Sequence, residues 1–333
     1  MGQAERPARL MGLQQLRGIA ALGVVVFHAS ELGGLPFLPG AFGVDLFFVL
    51  SGFLMVAITG EPTRPGAFLA ARFRRVAPLY WLATLTLAAG LAIVGTAPDP
   101  VRIVSALAFL PQGNAGPTAM GLPVLSPGWS LHYEVGFYAL FAATLLLPLR
   151  WRTPLLSALL LALAAIGTAG WRTAWTDPIL IEFAAGLWLG EVWRGPADAR
   201  TVAIGIVAVM LAFALTMPGL LDRVRLFAAT LAIAAMAWTL AKEPVRPRPR
   251  LEALGDASYA IYLAHLLAMK PMFGLATSLP PVLLIAPAIV IGVALGVAVH
   301  RWIERPIAWA LDPSRVRARS RVGRSRPSVP AAP

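Results

Sequence analysis

Residues 11–30, MGLQQLRGIAALGVVVFHAS, decide how the rest of the chain is read. Twenty residues of helix rise about 30 Å, the thickness of the hydrocarbon core of a bilayer. The stretch holds one full charge, Arg17, and one imidazole, His28. With Arg6 and Arg9 ahead of it, it also has the opening of a secretory signal. Arg17 interrupts the apolar run, however, and no small-x-small cleavage site closes it. The segment reads as a retained first membrane helix.

Blocks of the same kind recur along the chain. They lie near 11–30, 42–59, 78–96, 129–148, 154–170, 176–193, 201–218, 223–241, 257–276 and 281–303. Turn chemistry separates them, as at Gly33-Gly34, Glu61-Pro62 and Pro98-Asp99-Pro100. Composition agrees. The 333 residues are 58% hydrophobic and 13% charged, against about 25% charged in ordinary soluble domains. The expected fold is all-α: a polytopic membrane bundle of about ten transmembrane helices over 1–311. A basic tail over 312–333, rich in Arg, Ser and Pro, reads as disordered and lipid-facing.

The net charge is +12, and its placement excludes the reflex reading of a nucleic-acid binder. The basic residues fall between and after apolar blocks, where anionic lipid explains them. With the N-terminus inside, 22 of the 28 Lys and Arg lie in inner loops and tails and five lie outside. Both termini are therefore expected to be cytoplasmic, in a bacterial inner membrane. The chain has no cysteine, which excludes disulfides, thiolate metal sites and an acyl-cysteine intermediate. Four histidines without close pairing argue against a metal. Nothing in the sequence indicates oligomeric state.

Charged groups inside spans cost roughly 2.5–3.5 kcal/mol each on insertion scales, so each needs a partner, water or a function. The candidates are Arg17, His28, Asp45, Glu134, Glu182 and His265. Arg17 and His28 are eleven residues apart, three turns plus about 20°, so they share a face and lie roughly 16 Å apart along the axis. A cation at one end and an acid/base at the other suit a long donor with an anionic head. The alternative is a snorkelling Arg17 and an interfacial His28. Asp45 is expected to enter the second span level with His28, where a carboxylate fixes an imidazole tautomer. It equally suits the helix N-terminus. Gly43 and Gly52 would allow close helix approach.

Arg72 and Arg75 share a face of a short amphipathic helix before the third span. They fit phosphate recognition or ordinary anchoring, with Tyr80 and Trp81 at the interface. Ser130 and Glu134 share a face at i and i+4, whereas His132 points elsewhere, toward the interface. Ser258, Tyr262 and His265 share a face of the ninth span and read best as helix–helix contacts. The outer connection 97–128 is either part of an acceptor site or a packed cap.

Five stretches in this order and spacing resemble membrane acyltransferase family 3, the O-acyltransferases of bacterial surface glycans and some small molecules. They are LRGIAALGVVVFHA, FGVDLFFVLSGFLM, RFRRVAPLYW, SPGWSLHYEVGFYALF, and LGDASYAIYLAH followed by WIERPI. The resemblance runs from Leu16 to Pro306. It implies ten transmembrane helices and an acyl-CoA co-substrate, usually acetyl-CoA, with no bound cofactor. The family's Arg/Lys-x10-His motif falls on Arg17 and His28, with the histidine catalytic. Its Arg-x-x-Arg motif, associated with donor binding, falls on Arg72 and Arg75. Its Trp-Ser-Leu-x-x-Glu pattern falls on Trp129, Ser130 and Glu134. Many relatives carry an extra C-terminal hydrolase-like domain, whereas this chain ends in its basic tail.

The combined expectation is transfer of an acyl group from cytoplasmic acyl-CoA to a hydroxyl of an extracytoplasmic glycan or similar acceptor. His28 is the base, with Asp45 or Glu134 as its partner, and Arg17, Arg72, Arg75, Trp129 and Ser130 bind donor or substrate. Membrane lipid is the other expected contact. A proton-coupled transporter or glycan flippase also uses intramembrane His, Asp and Glu, but the chain has no inverted repeat and no paired broken helices.

Overall fold

The computed structural model describes residues 11–35, 40, 42–59, 63–113, 120–171, 173–195, 232–233, 235–236, 239 and 246–312. The helices are α1 Met11–Leu32, α2 Phe42–Ile58, α3 Pro65–Ile93, α4 Pro100–Leu107, α5 Trp129–Thr144, α6 Leu149–Thr168 and α7 Leu180–Arg194. They continue as α8 Pro249–Asp256, α9 Ser258–Leu275, α10 Ile285–Val299 and α11 Arg305–Ala310. One antiparallel ribbon pairs Gln112 with Gly121 and Gly113 with Met120. The chain is thus a helical membrane protein. Among the described residues, Pro65–Ile93, Leu149–Thr168 and Pro281–Ala310 are long and apolar enough to cross a bilayer, and α2 is a shorter apolar helix. The expected span 201–218, most of 223–241, and the tail after Asp312 lie outside the described residues.

Two departures from the sequence reading bear on the site. The Arg-rich stretch is not a separate amphipathic helix. It is the first half of the 29-residue α3, which starts at Pro65 after extended Arg64 and runs through Pro78. A proline inside a helix removes one hydrogen bond and strains the turn before it. Burial of Val76, Ala77, Leu79 and Tyr80 on either side holds the helix together there. Arg72 and Arg75 therefore ride on a rigid span. Tyr80 is not interfacial either: it is fully buried, with Gly128 packed on its ring. Trp81 Nε1 donates to the carbonyl of Leu107 at 2.8 Å, and the ring of Phe109 lies 5.1 Å from that of Tyr80. These aromatics fasten the described part of 97–128 onto α3.

Close helix contacts set the depth of each element. A Cβ on Gly52 would lie 2.2 Å from the carbonyl oxygen of Phe183, and one on Gly186 2.1 Å from that of Val49. α2 and α7 therefore touch backbone to backbone, as small residues at crossings permit. Around this contact Phe48, Phe137 and Phe183 form an aromatic core, with centroid distances of 4.7 Å for Phe48–Phe183 and 4.3 Å for Phe137–Phe183. The last carbonyls of α2 are capped from outside the helix. Arg194 donates to Val56 O, and Arg152 donates to Thr59 O at 3.3 Å. Two arginines counted as inner-face charges thus also close a helix end.

Candidate active site

A cavity of about 90 Å³ lies between α1, α2, α3, α5 and α9. α1 contributes Arg17, α2 Ser51, α3 Arg72 and Arg75, α5 Ser130, Glu134 and Tyr138, and α9 Ser258, Tyr259 and Tyr262. Five of the eight expected site residues (Arg17, Arg72, Arg75, Ser130 and Glu134) thus converge on one space from three helices distant in sequence.

Glu134 is its acidic centre. Ser51 Oγ donates to Glu134 Oε1 at 3.0 Å, and the Tyr138 hydroxyl donates to the same oxygen. Two hydroxyl donors on one carboxylate oxygen suit the ionised form and leave Oε2 to other partners. Arg17 is held by its terminal nitrogen, which donates to Ser258 Oγ at 3.1 Å. Arg72 is half-buried, with its guanidinium 5.8 Å from the Phe68 ring centroid. Its Nε is buried without a hydrogen-bond partner among the described residues. Arg75 is exposed at the rim. Three guanidinium groups against one carboxylate make a cavity that favours an anion.

The opposite end of the cavity is closed by a hydrogen-bonded pair. The Tyr262 hydroxyl donates to Pro127 O at 2.9 Å. Its single proton being spent there, Ser130 Oγ donates to it across the 2.7 Å between them. Phe47 packs edge-on against Tyr262 at 6.0 Å. Ser258 and Tyr262 make the helix–helix contacts read from their spacing, and they line the cavity as well. Trp129 is not among the lining residues; its ring packs against Phe48 and Tyr133 at 6.3 and 5.9 Å.

His28 lies outside this cavity, toward the C-terminal end of α1. Its ring stacks on His265 with centroids 5.2 Å apart and planes 26° apart. Its Nδ1 is 3.3 Å from Glu31 Oε2, one turn along the same helix, and the two side chains are 25% and 60% exposed. A carboxylate only accepts, so Nδ1 carries the hydrogen and Nε2 keeps its lone pair in the neutral ring.

The carboxylate beside His28 is therefore Glu31. Glu134 is engaged in the cavity. Asp45, buried near the start of α2, sits at a different level from His28, as the close contacts of Gly40 and Gly43 with α1 show. A Cβ on Gly40 would touch Gly23 and Phe27, and one on Gly43 would touch Ala20. α2 thus begins more than two turns below the end of α1, and Asp45 falls level with the Arg17 half of that helix. His132 also departs from expectation. It is buried rather than interfacial, with neither ring nitrogen partnered among the described residues.

Sequence reasoning missed Glu31, Ser51, Tyr138 and Tyr259. Glu31 and Tyr138 carried a signal, at i+3 from His28 and i+4 from Glu134. Ser51 and Tyr259 sit on other helices, and no periodicity pointed from them to Glu134 or Arg17.

Comparison with known proteins classifies this arrangement. The family pattern described as an acyltransferase domain matches residues 11–301. The chain belongs to acyltransferase family 3. It is 36% identical over 300 residues to the exopolysaccharide production protein ExoZ of Rhizobium meliloti, covering 85% of this chain and 94% of that protein. It is 26% identical over 319 residues to the acyltransferase MdmB of Streptomyces mycarofaciens, covering 80% of each. A match to protein 2 in the picA locus of Rhizobium radiobacter is 35% identical over 158 residues, 41% of this chain and 82% of that one. No solved structure matches. The acyltransferase is an acyl-transferring enzyme, and the transporter reading gives way to that membership.

Proposed function

We propose that this acyltransferase moves an acyl group, of which acetyl is the simplest, from cytoplasmic acyl-CoA to a hydroxyl of an extracytoplasmic polysaccharide. The observation that carries the reading is the division of the expected residues between two places. Arg17, Arg72 and Arg75 gather in one cavity, and His28 stands with Glu31 and a bare Nε2 further along the face that starts at Arg17. The donor's phosphates suit the arginine end, where the Nε of Arg72 has no hydrogen-bond partner among the described residues. The pantetheine arm is long enough to cover the roughly 16 Å of α1 between Arg17 and His28, and its passage requires the Ser130–Tyr262 pair that closes the cavity to part. The polysaccharide as acceptor class rests on the printed name of the exopolysaccharide relative.

The chemistry is general-base acyl transfer. His28 Nε2 takes the proton of the acceptor hydroxyl, and that oxygen bonds to the thioester carbonyl carbon. The C–S bond breaks, and the departing thiolate receives the proton from His28. The products are an ester and free CoA, and the imidazole is restored. Glu31 stabilises the transient imidazolium through the Nδ1 hydrogen. Topology completes the reading: ten spans with both termini in the cytoplasm of a bacterial inner membrane put the arginine end inside and His28 near the outer face.

The test is mass spectrometry of the surface-glycan fraction from cells lacking the chain, complemented with wild type or His28→Ala at equal membrane abundance. An acyl mass restored by wild type and not by His28→Ala supports both the acceptor class and the base. Restoration by both rejects His28, and restoration by neither rejects the glycan.

A further inference from the structure

We infer that His265 is a positioning residue for the acyl-transfer step. It holds the His28 ring in place and stabilises the imidazolium formed when His28 takes the acceptor's proton. The inference rests on the proposed role of His28 as base and adds the element that keeps that base in one orientation.

His265 is fully buried on α9. Its Nδ1 lies 3.0 Å from Ile261 O. A carbonyl accepts and never donates, so Nδ1 carries the ring hydrogen and Nε2 is a bare acceptor. That Nε2 is buried without a partner among the described residues. With its N–H committed to Ile261 O and its Nε2 outside any bond among the described residues, what the ring offers is its face, and that face has a use.

The geometry shows what that is. The Nδ1 bond to the preceding helical turn ties the ring to α9. On the α10 side, a Cβ on Gly292 would come within 3.3 Å of His265 Cβ, so α10 packs closely on α9 at this residue. Its free face is turned to His28, nearly parallel at 5.2 Å. His28 otherwise has an edge contact with Phe27 at 4.9 Å and the bond to Glu31, whose side chain is mostly exposed. Without the His265 face, the His28 ring keeps only the exposed bond to Glu31 and an edge contact, and its orientation about the Cβ–Cγ bond is less restricted. With it, Nε2 keeps one direction. When His28 becomes cationic, a neutral aromatic face lies under it, a favourable arrangement for a cation. His265 itself exchanges no proton, since its one N–H is committed to Ile261 O.

The experiment uses the full chain in lipid nanodiscs, with radiolabelled acetyl-CoA as donor and ester-stripped surface glycan of the parent cells as acceptor. His265→Phe keeps an aromatic face and has no ring nitrogen, whereas His265→Leu keeps bulk without a face. The expected result is that His265→Leu lowers kcat about 10-fold with KM for acetyl-CoA within about twofold of wild type. His265→Phe restores kcat to within about threefold of wild type. A structural role would lower the folded yield of both or move KM and kcat together, and that result overturns the inference. Equal kcat for His265→Leu and wild type, beside an inactive His28→Ala, overturns this inference alone. Full activity of His28→Ala, or no turnover by wild type, overturns the function proposed above and this inference with it.

Discussion

The two ends of the Arg17–His28 face are built differently. The arginine end is a cavity assembled from five helices, with a carboxylate bound by hydroxyls from two of them. The imidazole end rests on one stacking contact between two helices and one bond within a helix. An assembled anion cavity suits the tight, repeated capture of one invariant molecule. A sparsely held base with exposed surroundings suits a bulky acceptor that changes along a polymer. Between them stands Tyr262, whose hydroxyl bonds to Ser130 and Pro127 close the cavity on the side of His28. Capture and transfer should therefore be separable by mutation.

The largest effect is expected at the imidazole end. His28→Ala should lower turnover by 10²- to 10⁴-fold, the usual worth of a positioned general base, estimated to about an order of magnitude. Radiolabelled transfer measured beside donor binding would show whether the loss stays on the transfer side. In the cavity, Arg72→Ala should raise KM for acetyl-CoA by about 10-fold, and Arg72→Lys should recover part of that, since an ammonium lacks the planar fork. Arg75, exposed at the rim, should matter less, about threefold, and its contribution should fade in high salt. A steady-state series from 0.05 to 0.5 M salt (roughly the range over which screening tightens) separates the two arginines.

Smaller again is Tyr262→Phe. It removes the donor to Pro127 and the acceptor for Ser130 while keeping the ring, and should cost about 1 kcal/mol of stability. Thermal unfolding in detergent reads that loss. A fall in kcat larger than the stability loss would show that the hydroxyl itself takes part in the passage between the two ends.

Much of this division was legible in the chain. A spacing of eleven from Arg17 to His28 places both on one helical face, and a spacing of four from Ser130 to Glu134 does the same, because helical period is local. Continuing either face by one more turn reaches Glu31 and Tyr138. The level of Asp45 was not legible. It depends on where α2 starts alongside α1, which shows in the close approach of Gly40 and Gly43 to α1 and in no sequence period. The same holds for Tyr80 and Trp81: their amphipathic rings look interfacial in sequence, yet they anchor the connection after α3. Arg17, Arg72 and Arg75 are grouped by the family resemblance, but that Glu134 lines the same cavity, held there by Ser51 and Tyr138, shows only in the folded bundle.

The most direct test of this account measures acetyl-CoA binding and acyl transfer on the same preparations of His28→Ala and Arg72→Ala. The account predicts that His28→Ala binds donor within about twofold of wild type (below the roughly tenfold expected of a lost phosphate contact) and transfers at least about 100-fold more slowly. It predicts that Arg72→Ala loses donor affinity and regains transfer when donor is raised. Loss of donor binding in His28→Ala, or undiminished binding in Arg72→Ala, would contradict it.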